Sequence, residues 1–239
     1  MLSLKNIGIV LGGQRVLNGL NLEVQEGEFV VIIGANGTGK STLFNIISGA
    51  IAPTCGKITV GGVANNFCQV ARVFQDPRMG TVGNFTISEN MALALRRHKR
   101  RSLIPFETRK RREFFREYLS ILGMDLENRL DDPASTLSGG QRQALSLTMS
   151  IIGDYSVLLL DEITAALDPK SSEKVMALAN KIVSAEGKTC LMATHNMHHA
   201  LTFGEKLLVL RNGKIDKLFM KAEKRNLSPA DLIETFICH

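Results

Sequence analysis

Closely spaced cysteines are missing from this sequence. Four cysteines occur in 239 residues, and Cys55, Cys68, Cys190 and Cys238 lie far apart with no C-x-x-C pair among them. This spacing argues against a structural zinc site or a disulfide framework. It favours a reducing compartment such as the cytoplasm.

Long apolar runs are missing as well. No stretch approaches the roughly 20 consecutive apolar residues that a membrane-spanning helix needs. Residues 1–6 contain no basic stretch followed by an apolar one, so we expect no secretory signal peptide. The composition, with 44% apolar and 22% charged residues, is typical of a globular protein, and the length suggests one or two domains.

The positive charge of the chain is modest. Its 29 Lys and Arg residues against 23 Asp and Glu residues give a formal net charge of +6. A nucleotide, phospholipid headgroups or nucleic acid would each satisfy this charge as an anionic partner. Segment 96–101 is strongly basic, but no aromatic residue interrupts it, which disfavours stacking of nucleic-acid bases.

Residues 29–45 carry a phosphate-binding pattern. The apolar run 29–33 predicts a strand that is buried on both faces, and a glycine-rich turn, Lys-Ser-Thr and a helix-forming stretch follow it. This is G-x-x-x-x-G-K-[ST] in its strand–loop–helix context. Glycines let backbone N–H groups point at phosphate oxygens, and the helix N-terminus carries about half a positive charge. The predicted nucleotide-binding residues are Gly34, Ala35, Asn36, Gly37, Thr38, Gly39, Lys40, Ser41 and Thr42.

Two carboxylates follow another predicted buried strand, residues 157–160. Ligands of open parallel sheets bind at this carboxyl edge, where Asp161 and Glu162 stand. Lys40 could then reach the β- and γ-phosphates, while the Ser41 hydroxyl and Asp161 hold Mg²⁺. Glu162 could polarise an attacking water. Acidic residues that end a strand merely to reach solvent are the alternative, which the upstream phosphate loop disfavours.

Strand and helix patterns divide the chain. Residues 2–33 predict short strands, and buried-strand patterns return at 157–160 and 190–194. The region at about 77–152 is mostly helical, and Thr86-x-x-Glu89 is a capping box that opens one of its helices. We therefore predict an α/β nucleotide-binding core with a small β portion near the N-terminus and an inserted helical subdomain.

Leu137-Ser-Gly-Gly-Gln141 is the most specific feature of the sequence. Ser138 and Gln141 form a capping box that predicts a helix start. Each glycine costs up to about 1 kcal/mol against alanine in a helix interior. The pair makes sense if something approaches this helix N-terminus closely, where exposed N–H groups, the helix dipole and a serine hydroxyl would form a second anion site.

This segment resembles the signature motif of the ATP-binding cassette (ABC) family. The resemblance implies a single ABC ATPase domain over residues 1–239, with an α/β P-loop NTPase (RecA-like) core formed by 1–76 and 153–239. An N-terminal antiparallel β subdomain belongs to that core, and 77–152 is the helical signature subdomain. The family motifs occur in order as the phosphate loop at 34–42, Gln75, the signature at 137–141, Asp161-Glu162, Ala166-Leu167-Asp168 and His195.

The resemblance also implies the roles of further residues. Two cassettes would pair head to tail, with ATP between the phosphate loop of one subunit and Ser138, Gly139, Gly140 and Gln141 of the other. Gln75 would contact Mg²⁺ or the water and sense a membrane partner, Asp168 would organise the dimer interface, and His195 would contact the γ-phosphate. Leu11 stands where the family usually has an adenine-stacking aromatic residue, so Leu11 and Val16 would give the base apolar contact. Ile163 replaces the usual proline after the carboxylate pair.

A chain with one cassette and no membrane span is expected to be the ATPase subunit of a membrane transporter that uses ATP and Mg²⁺. Separate transmembrane permease subunits and a second ATPase subunit, expected to be a copy of this chain, would be its partners. Segments 74–81, 92–97 and 110–117 resemble a bacterial branch of tryptophan- or tyrosine-type uptake systems. That likeness implies an importer of amino-acid-like solutes, with an extracytoplasmic solute-binding protein and a peripheral location at the cytoplasmic face of the bacterial inner membrane.

Two other functions compete with the transporter hypothesis. A soluble ABC ATPase acting on nucleic acid or ribosomes could use the basic segments 96–101 and 109–112 to bind phosphate backbones. Such proteins usually carry two cassettes or a long coiled-coil insertion, and neither is present. A GTPase or small-molecule kinase is disfavoured by the signature at 137–141 and by the lack of an N-K-x-D guanine-reading motif.

Overall fold

The structure, a computed structural model, describes residues 1–96 and 108–237. Most of the basic segment 96–101 and Cys238 lie outside these ranges. The strands are β1 (Leu2–Leu11), β2 (Gln14–Val24), β3 (Phe29–Ile33), β4 (Cys55–Val60), β5 (Val63–Ala64), β6 (Val70–Val73), β7 (Val157–Asp161), β8 (Thr189–Ala193), β9 (Lys206–Arg211) and β10 (Lys214–Met220). The α-helices are α1 (Lys40–Ile47), α2 (Pro77–Gly80), α3 (Ile87–Leu95), α4 (Arg109–Ser120), α5 (Gly139–Ile151), α6 (Pro169–Glu186), α7 (Met197–Thr202), α8 (Lys221–Lys224) and α9 (Pro229–Ile237).

The chain divides into two compact units. The first unit consists of Met1–Arg72, Ser156–Glu162 and the C-terminal part from Ile182. The second unit consists of Val73–Tyr155 and Ile163–Lys181. Among the helices in the described ranges, none combines the length and the apolarity that crossing a membrane requires.

The phosphate loop follows a central strand of the first unit. A six-stranded sheet has the order β10-β9-β3-β8-β7-β6, and β3 pairs in parallel with both β8 and β9. Every residue of β3, β7 and β8 is buried, which agrees with the apolar runs that form most of each strand. The β9–β10 hairpin turns at Asn212 and Gly213, both with positive φ, which is the backbone that an Asn-Gly turn favours.

The first unit also contains a four-stranded antiparallel sheet in the order β2-β1-β4-β5. The prediction of short strands over residues 2–33 is wrong for its hairpin, because β1 has 10 residues and β2 has 11. Asn6 (φ 53°) and Gly19 (φ 66°) have positive φ values, yet they lie inside these strands, where the pairing register shifts. Bulges absorb such residues without ending a strand.

The second unit is built around its helices. α3 and α5 each begin with the predicted capping box, at Thr86 with Glu89 and at Ser138 with Gln141. Phe115 of α4 is buried in the core of this unit, and the core residues come from three helices and the loops between them. They include Ile87, Met91, Leu119, Leu126, Leu130, Leu145 and Met149. Helices that bury one apolar face against each other in this way explain the helical period of the sequence.

Candidate functional site

Three glycines shape the phosphate loop between β3 and α1. Gly37 and Gly39 have φ values of 81° and 103°, a backbone region that residues with a Cβ rarely adopt. A Cβ on Gly34 would lie 2.5 Å from the Leu210 carbonyl oxygen. No side chain caps the N-terminus of α1, so its first N–H groups are available to an anion.

The Lys40 ammonium lies over this loop. Its Nζ donates to the carbonyl oxygens of Gly34, at 2.7 Å, and Ala35, at 3.3 Å. The same nitrogen is 3.6 Å from Oε1 of Glu162. Although the side chain is nearly buried, its charge therefore has acceptors on both sides. Ser41, the next residue, is exposed in the first turn of α1.

Glu162 connects Lys40 with His195. Its backbone has a φ of 47°, and its N–H donates to the Ala193 carbonyl oxygen at the end of β8. This left-handed conformation, costing about 1–3 kcal/mol in a residue other than glycine, is the kind of strain found at functional sites. Oε2 of Glu162 lies 3.4 Å from Nδ1 of His195, whose side chain is 57% exposed. One carboxylate thus bridges the loop lysine and a histidine that reaches solvent.

Asp161, one residue earlier, is held by Arg72 of β6. Nη2 of Arg72 donates to Oδ2 of Asp161 at 2.6 Å, and Nη1 donates to Oδ1 of Asn45 at 2.6 Å. Asn45 lies on α1, the helix that begins at the phosphate loop. The two carboxylates at the end of β7 therefore have different cations: Arg72 for Asp161 and Lys40 for Glu162.

The signature residues begin helix α5 of the second unit. Ser138 Oγ accepts the Gln141 N–H at 3.3 Å, and Oε1 of Gln141 accepts the Ser138 N–H at 3.1 Å. A Cβ on Gly140 would lie 2.8 Å from Ser171 of α6, whereas one on Gly139 would have its nearest neighbour at 3.6 Å. Helix α6 of the same chain therefore leaves no room for a side chain at position 140. Of the two glycines, only Gly139 has free space beside it.

Gln75 and Asp168 also belong to the second unit. Gln75 is exposed, and the preceding carbonyl, that of Phe74, accepts Nε2 of Gln143 at 3.0 Å. Asp168 accepts the Ser171 N–H at 3.0 Å, just before α6. Hydrogen bonds from Ser171 hold the pKa of the Asp168 carboxyl below its ordinary value. Asp168 thus caps a helix in this chain, and its predicted role in a dimer interface stays a prediction.

Comparisons with known proteins decide the family. Residues 17–165 match the family model described as ABC transporter. The chain belongs to this family. It is 43% identical over 228 residues to the tyrosine transport ATP-binding protein of Clostridioides difficile, covering 92% of this chain and 90% of the relative. It is 33% identical over 232 residues to the spermidine/putrescine import ATP-binding protein PotA of Spiroplasma citri, covering 95% of this chain but only 63% of that longer relative.

A solved ABC structure has the same fold. It is the ATP-binding cassette MJ0796 of Methanocaldococcus jannaschii in a dimeric post-hydrolysis state bound to ADP and Pi. The TM-score is 0.79 at 29% identity, over 92% of this chain and 99% of that one. The family and fold class predicted from the sequence are confirmed, and the chain is an ABC ATP-binding protein with ATPase activity coupled to transport. The alternative of a soluble ATPase acting on nucleic acid is not favoured.

Leu11 and Val16 are the two apolar residues that are predicted to contact the adenine base. Leu11 ends β1 and is exposed beside the Gly12-Gly13 turn. Val16 is half-buried on β2, and its carbonyl oxygen would lie 3.2 Å from a Cβ on Gly39 of the phosphate loop. Val16, one of the two predicted base contacts, therefore lies next to the phosphate loop. Both side chains are aliphatic, so they would offer the base apolar contact but no aromatic stacking.

The predicted Mg²⁺ donors have the chemistry that this ion prefers. Ser41 offers a hydroxyl and Asp161 a carboxylate, and Mg²⁺ takes one or two such protein oxygens together with phosphate oxygens and waters. Within the ranges 1–96 and 108–237, no group of three or more His, Cys, Asp or Glu side chains is arranged to hold a metal alone. The residues present therefore fit a magnesium ion that is bound together with nucleotide.

Arg72 and Asn45 are site residues that the sequence motifs missed. Arg72 donates to Asp161 at the end of β7 and to Asn45 on α1, each at 2.6 Å, so Asn45 reaches the site through Arg72. The sequence did contain a signal for Arg72. An arginine within the predicted strand 70–73 carries a charge, and a buried charged side chain is almost always paired. The identity of that partner depends on strand order, which the pattern does not give.

Proposed function

We propose that this chain is the ATP-hydrolysing subunit of an importer for a small, amino-acid-like solute. The Glu162 carboxylate supports the hydrolytic part, because it lies between the loop lysine and His195 at the end of β7. The solute class rests on the 43% identity to a tyrosine transport protein along nearly the whole chain. The chain would work at the cytoplasmic face of the bacterial inner membrane, with permease subunits and an extracytoplasmic solute-binding protein.

Lys40 and Glu162 would change partners when ATP binds. Lys40 would leave the Gly34 and Ala35 carbonyls for the β- and γ-phosphates, since phosphate oxygens carry more charge than carbonyls. Glu162 would then lose an ion-pair partner and accept a proton from a water placed in line with the γ-phosphate. His195, from its exposed position, would contact the γ-phosphate.

Mg²⁺ supplies neutralisation of the charge that develops on the phosphates. Ser41 and Asp161 would hold it, with Gln75 as a further contact implied by the family resemblance. The first turn of α1 presents the Ser41 hydroxyl, and the end of β7 fixes the Asp161 carboxylate. Both residues offer oxygen atoms, which are the ligands that a hard cation such as Mg²⁺ takes.

Two copies of this chain would complete two ATP sites. Ser138 and the exposed Gly139 open α5, whose N-terminal N–H groups suit a phosphate of the ATP held by the partner. A Glu162→Gln variant should accumulate as an ATP-bound dimer, measured by light scattering after gel filtration with ATP and Mg²⁺. The same variant carrying Ser138→Arg should bind ATP and stay monomeric. A Glu162→Gln protein that binds ATP without dimerising would contradict the head-to-tail arrangement.

An exposed apolar cavity in the second unit is our candidate contact for the permease. Its volume is about 380 Å³, and Met79, Val82, Leu93 and Met149 are among the residues that line it. Met79 is 69% exposed and sits on α2, two residues after Asp76-Pro77. Contiguous exposed apolar surface is a feature of protein–protein contact sites, and this is the support for placing the permease here.

Affinity purification of tagged Glu162→Gln protein from its native cells tests the function. With ATP, Mg²⁺ and detergent, a polytopic membrane protein should be recovered with and without nuclease. Met79→Asp should lose that protein, whereas Ile121→Asp, at a 53% exposed apolar residue elsewhere in the same unit, should keep it. Recovery of ribosomes or nucleic acid that nuclease removes would contradict the transporter function. ATP-dependent tyrosine uptake by vesicles containing the recovered permease would test the solute class.

A further inference from the structure

Arg72 is the one charged residue of β6, and its guanidinium connects three elements of the first unit. It bonds Asp161 at the end of β7 and Asn45 on α1, with both donor–acceptor distances at 2.6 Å. The side chains of Arg72 and Asp161 are only 9% and 8% exposed. The pair is therefore shielded from the solvent that weakens most ion pairs.

The guanidinium has two consequences for the Asp161 carboxylate. Its planar fork donates to Asp161 and Asn45 at a fixed angle, so the carboxylate is held relative to the helix behind the phosphate loop. Its permanent positive charge also lies directly against Oδ2. A divalent cation at the remaining oxygen, Oδ1, would share that carboxylate with Arg72 and be repelled by it.

We propose that Arg72 is a positioning residue that makes metal binding at Asp161 depend on nucleotide. This inference rests on the proposed function, in which Asp161 holds Mg²⁺. Without phosphate oxygens, the charge of Asp161 is already balanced by Arg72, and a cation gains little there. With ATP on the phosphate loop, the attraction of the cation to the phosphates outweighs its repulsion by Arg72. The Asp161 carboxylate is then already oriented by Arg72. The metal then enters with the nucleotide rather than before it.

Titration with Mn²⁺, followed by its electron spin resonance signal, tests the inference without relying on turnover. In nucleotide-free Arg72→Gln protein, Mn²⁺ should bind at least about tenfold more tightly than in the wild type, because one buried positive charge is gone. The Arg72→Lys variant keeps the charge and should stay close to wild type. Adding Asp161→Asn to Arg72→Gln should abolish the gain.

Controls separate a structural role from the proposed one. Thermal unfolding will show whether each variant is folded, and a purely structural ion pair would lower stability without changing Mn²⁺ affinity. Arg112→Gln breaks an ion pair with Asp131 in the second unit and should leave Mn²⁺ binding unchanged. Folded Arg72→Gln protein with wild-type Mn²⁺ affinity would overturn the inference.

Mn²⁺ binding in the presence of nucleotide distinguishes the role of Arg72 from the metal site itself. If wild-type protein binds Mn²⁺ with a non-hydrolysable ATP analogue and Asp161→Asn weakens this binding, the proposed metal site stands. An unchanged Arg72→Gln affinity in that case removes only the role of Arg72. If wild-type protein binds neither the analogue nor Mn²⁺ with it, the proposed function itself fails.

Discussion

Charged side chains around the phosphate loop are buried in pairs of opposite sign. Arg72 lies 2.6 Å from Asp161, and Lys40 lies 3.6 Å from Glu162. Removing one partner of a buried ion pair typically costs about 3–5 kcal/mol, because the other charge is left uncompensated. Each pair in this site therefore avoids that cost. In the proposed mechanism, ATP would draw Lys40 away from Glu162 because its phosphates offer the lysine a larger negative charge.

Lys40→Ala should abolish nucleotide binding or turnover, because the side chain that contacts both the loop and Glu162 is lost. We expect at least a hundredfold weaker binding, an effect of about 3 kcal/mol that is usual for a charge-assisted contact to phosphate. Fluorescence titration with a labelled ATP analogue measures it. Lys214→Ala, at an exposed position of β10, is the control. Wild-type affinity in Lys40→Ala protein would remove the phosphate-loop assignment.

Lys224 is a buried lysine whose titration should affect stability. Its Nζ donates to the carbonyl oxygens of Phe203 and Gly204, beyond the C-terminus of α7. Burial lowers the pKa of Lys224 to about 8, although the nearby Glu205 opposes this effect. The group therefore loses its proton near pH 8 in the folded protein and near pH 10.5 in the unfolded chain.

Between these two values the unfolded chain binds more protons, so this lysine should make the free energy of unfolding rise with pH. We expect the free energy of unfolding of the wild type minus that of Lys224→Met to rise by about 1 kcal/mol or more from pH 7.5 to pH 10. Urea unfolding at both pH values measures it, and taking the difference cancels other groups that titrate in the range. If this signed difference stays flat or falls over the range, burial does not lower the pKa of Lys224 in solution.

Helix α5 shows how one element can serve packing and binding with adjacent residues. Gly140 faces Ser171 of α6 and has no room for a Cβ, whereas Gly139 is exposed and has room. Both are equally poor helix formers, so propensity alone does not separate them. Their different surroundings assign Gly140 to the interior of the second unit and Gly139 to the surface that a partner would approach.

Alanine at these two positions should therefore have opposite effects. Gly140→Ala should lose about 1–2 kcal/mol of stability, since the overpacking at Ser171 exceeds the gain in helix propensity. Gly139→Ala should be as stable as wild type or slightly more stable, yet it should impair the ATP-bound dimer in the Glu162→Gln background. Urea unfolding and light scattering measure the two effects. If Gly140→Ala protein is as stable as the wild type, α6 can shift to accommodate the methyl group without loss of free energy, and the prediction is wrong.

At the scale of the whole molecule, the predicted site residues are divided between the two units. Lys40, Asp161, Glu162 and His195 lie in the first unit, while Gln75, the signature and Asp168 lie in the second. In the proposed dimer, the first unit of one copy and the second unit of the other act on one ATP. That residues 1–239 work as a single ABC ATPase domain stays a prediction.

Mixing two defective variants tests that arrangement. In the Glu162→Gln background, Lys40→Ala removes the loop contact and Ser138→Arg blocks the signature, so neither variant alone should form ATP-bound dimers. Mixed dimers should form and retain about one ATP each, because one site combines an intact loop with an intact signature. Quantification of nucleotide in the isolated dimer is the measurement. No dimers in the mixture would contradict shared sites.

Short-range sequence patterns were sufficient to predict the buried strands, the starts of two helices and the family of this protein. The apolar runs predict β3, β7 and β8, the capping boxes predict the starts of α3 and α5, and the motif order predicts the family. These features depend on neighbours a few residues away, so they can be determined from sequence alone. The site residues named from motifs stay predictions. In the structure, the Glu162 carboxylate lies 3.6 Å from Nζ of Lys40 and 3.4 Å from Nδ1 of His195.

Only the tertiary structure decided which distant residues meet. The order β8-β7-β6 brings Arg72 to Asp161 across 89 positions of sequence, and the approach of α6 explains Gly140. Strands as long as β1 and β2 formed despite Asn6 and Gly19, because pairing with neighbours absorbed the bulges. Each of these outcomes depends on a free energy shared between distant segments, which no local pattern contains.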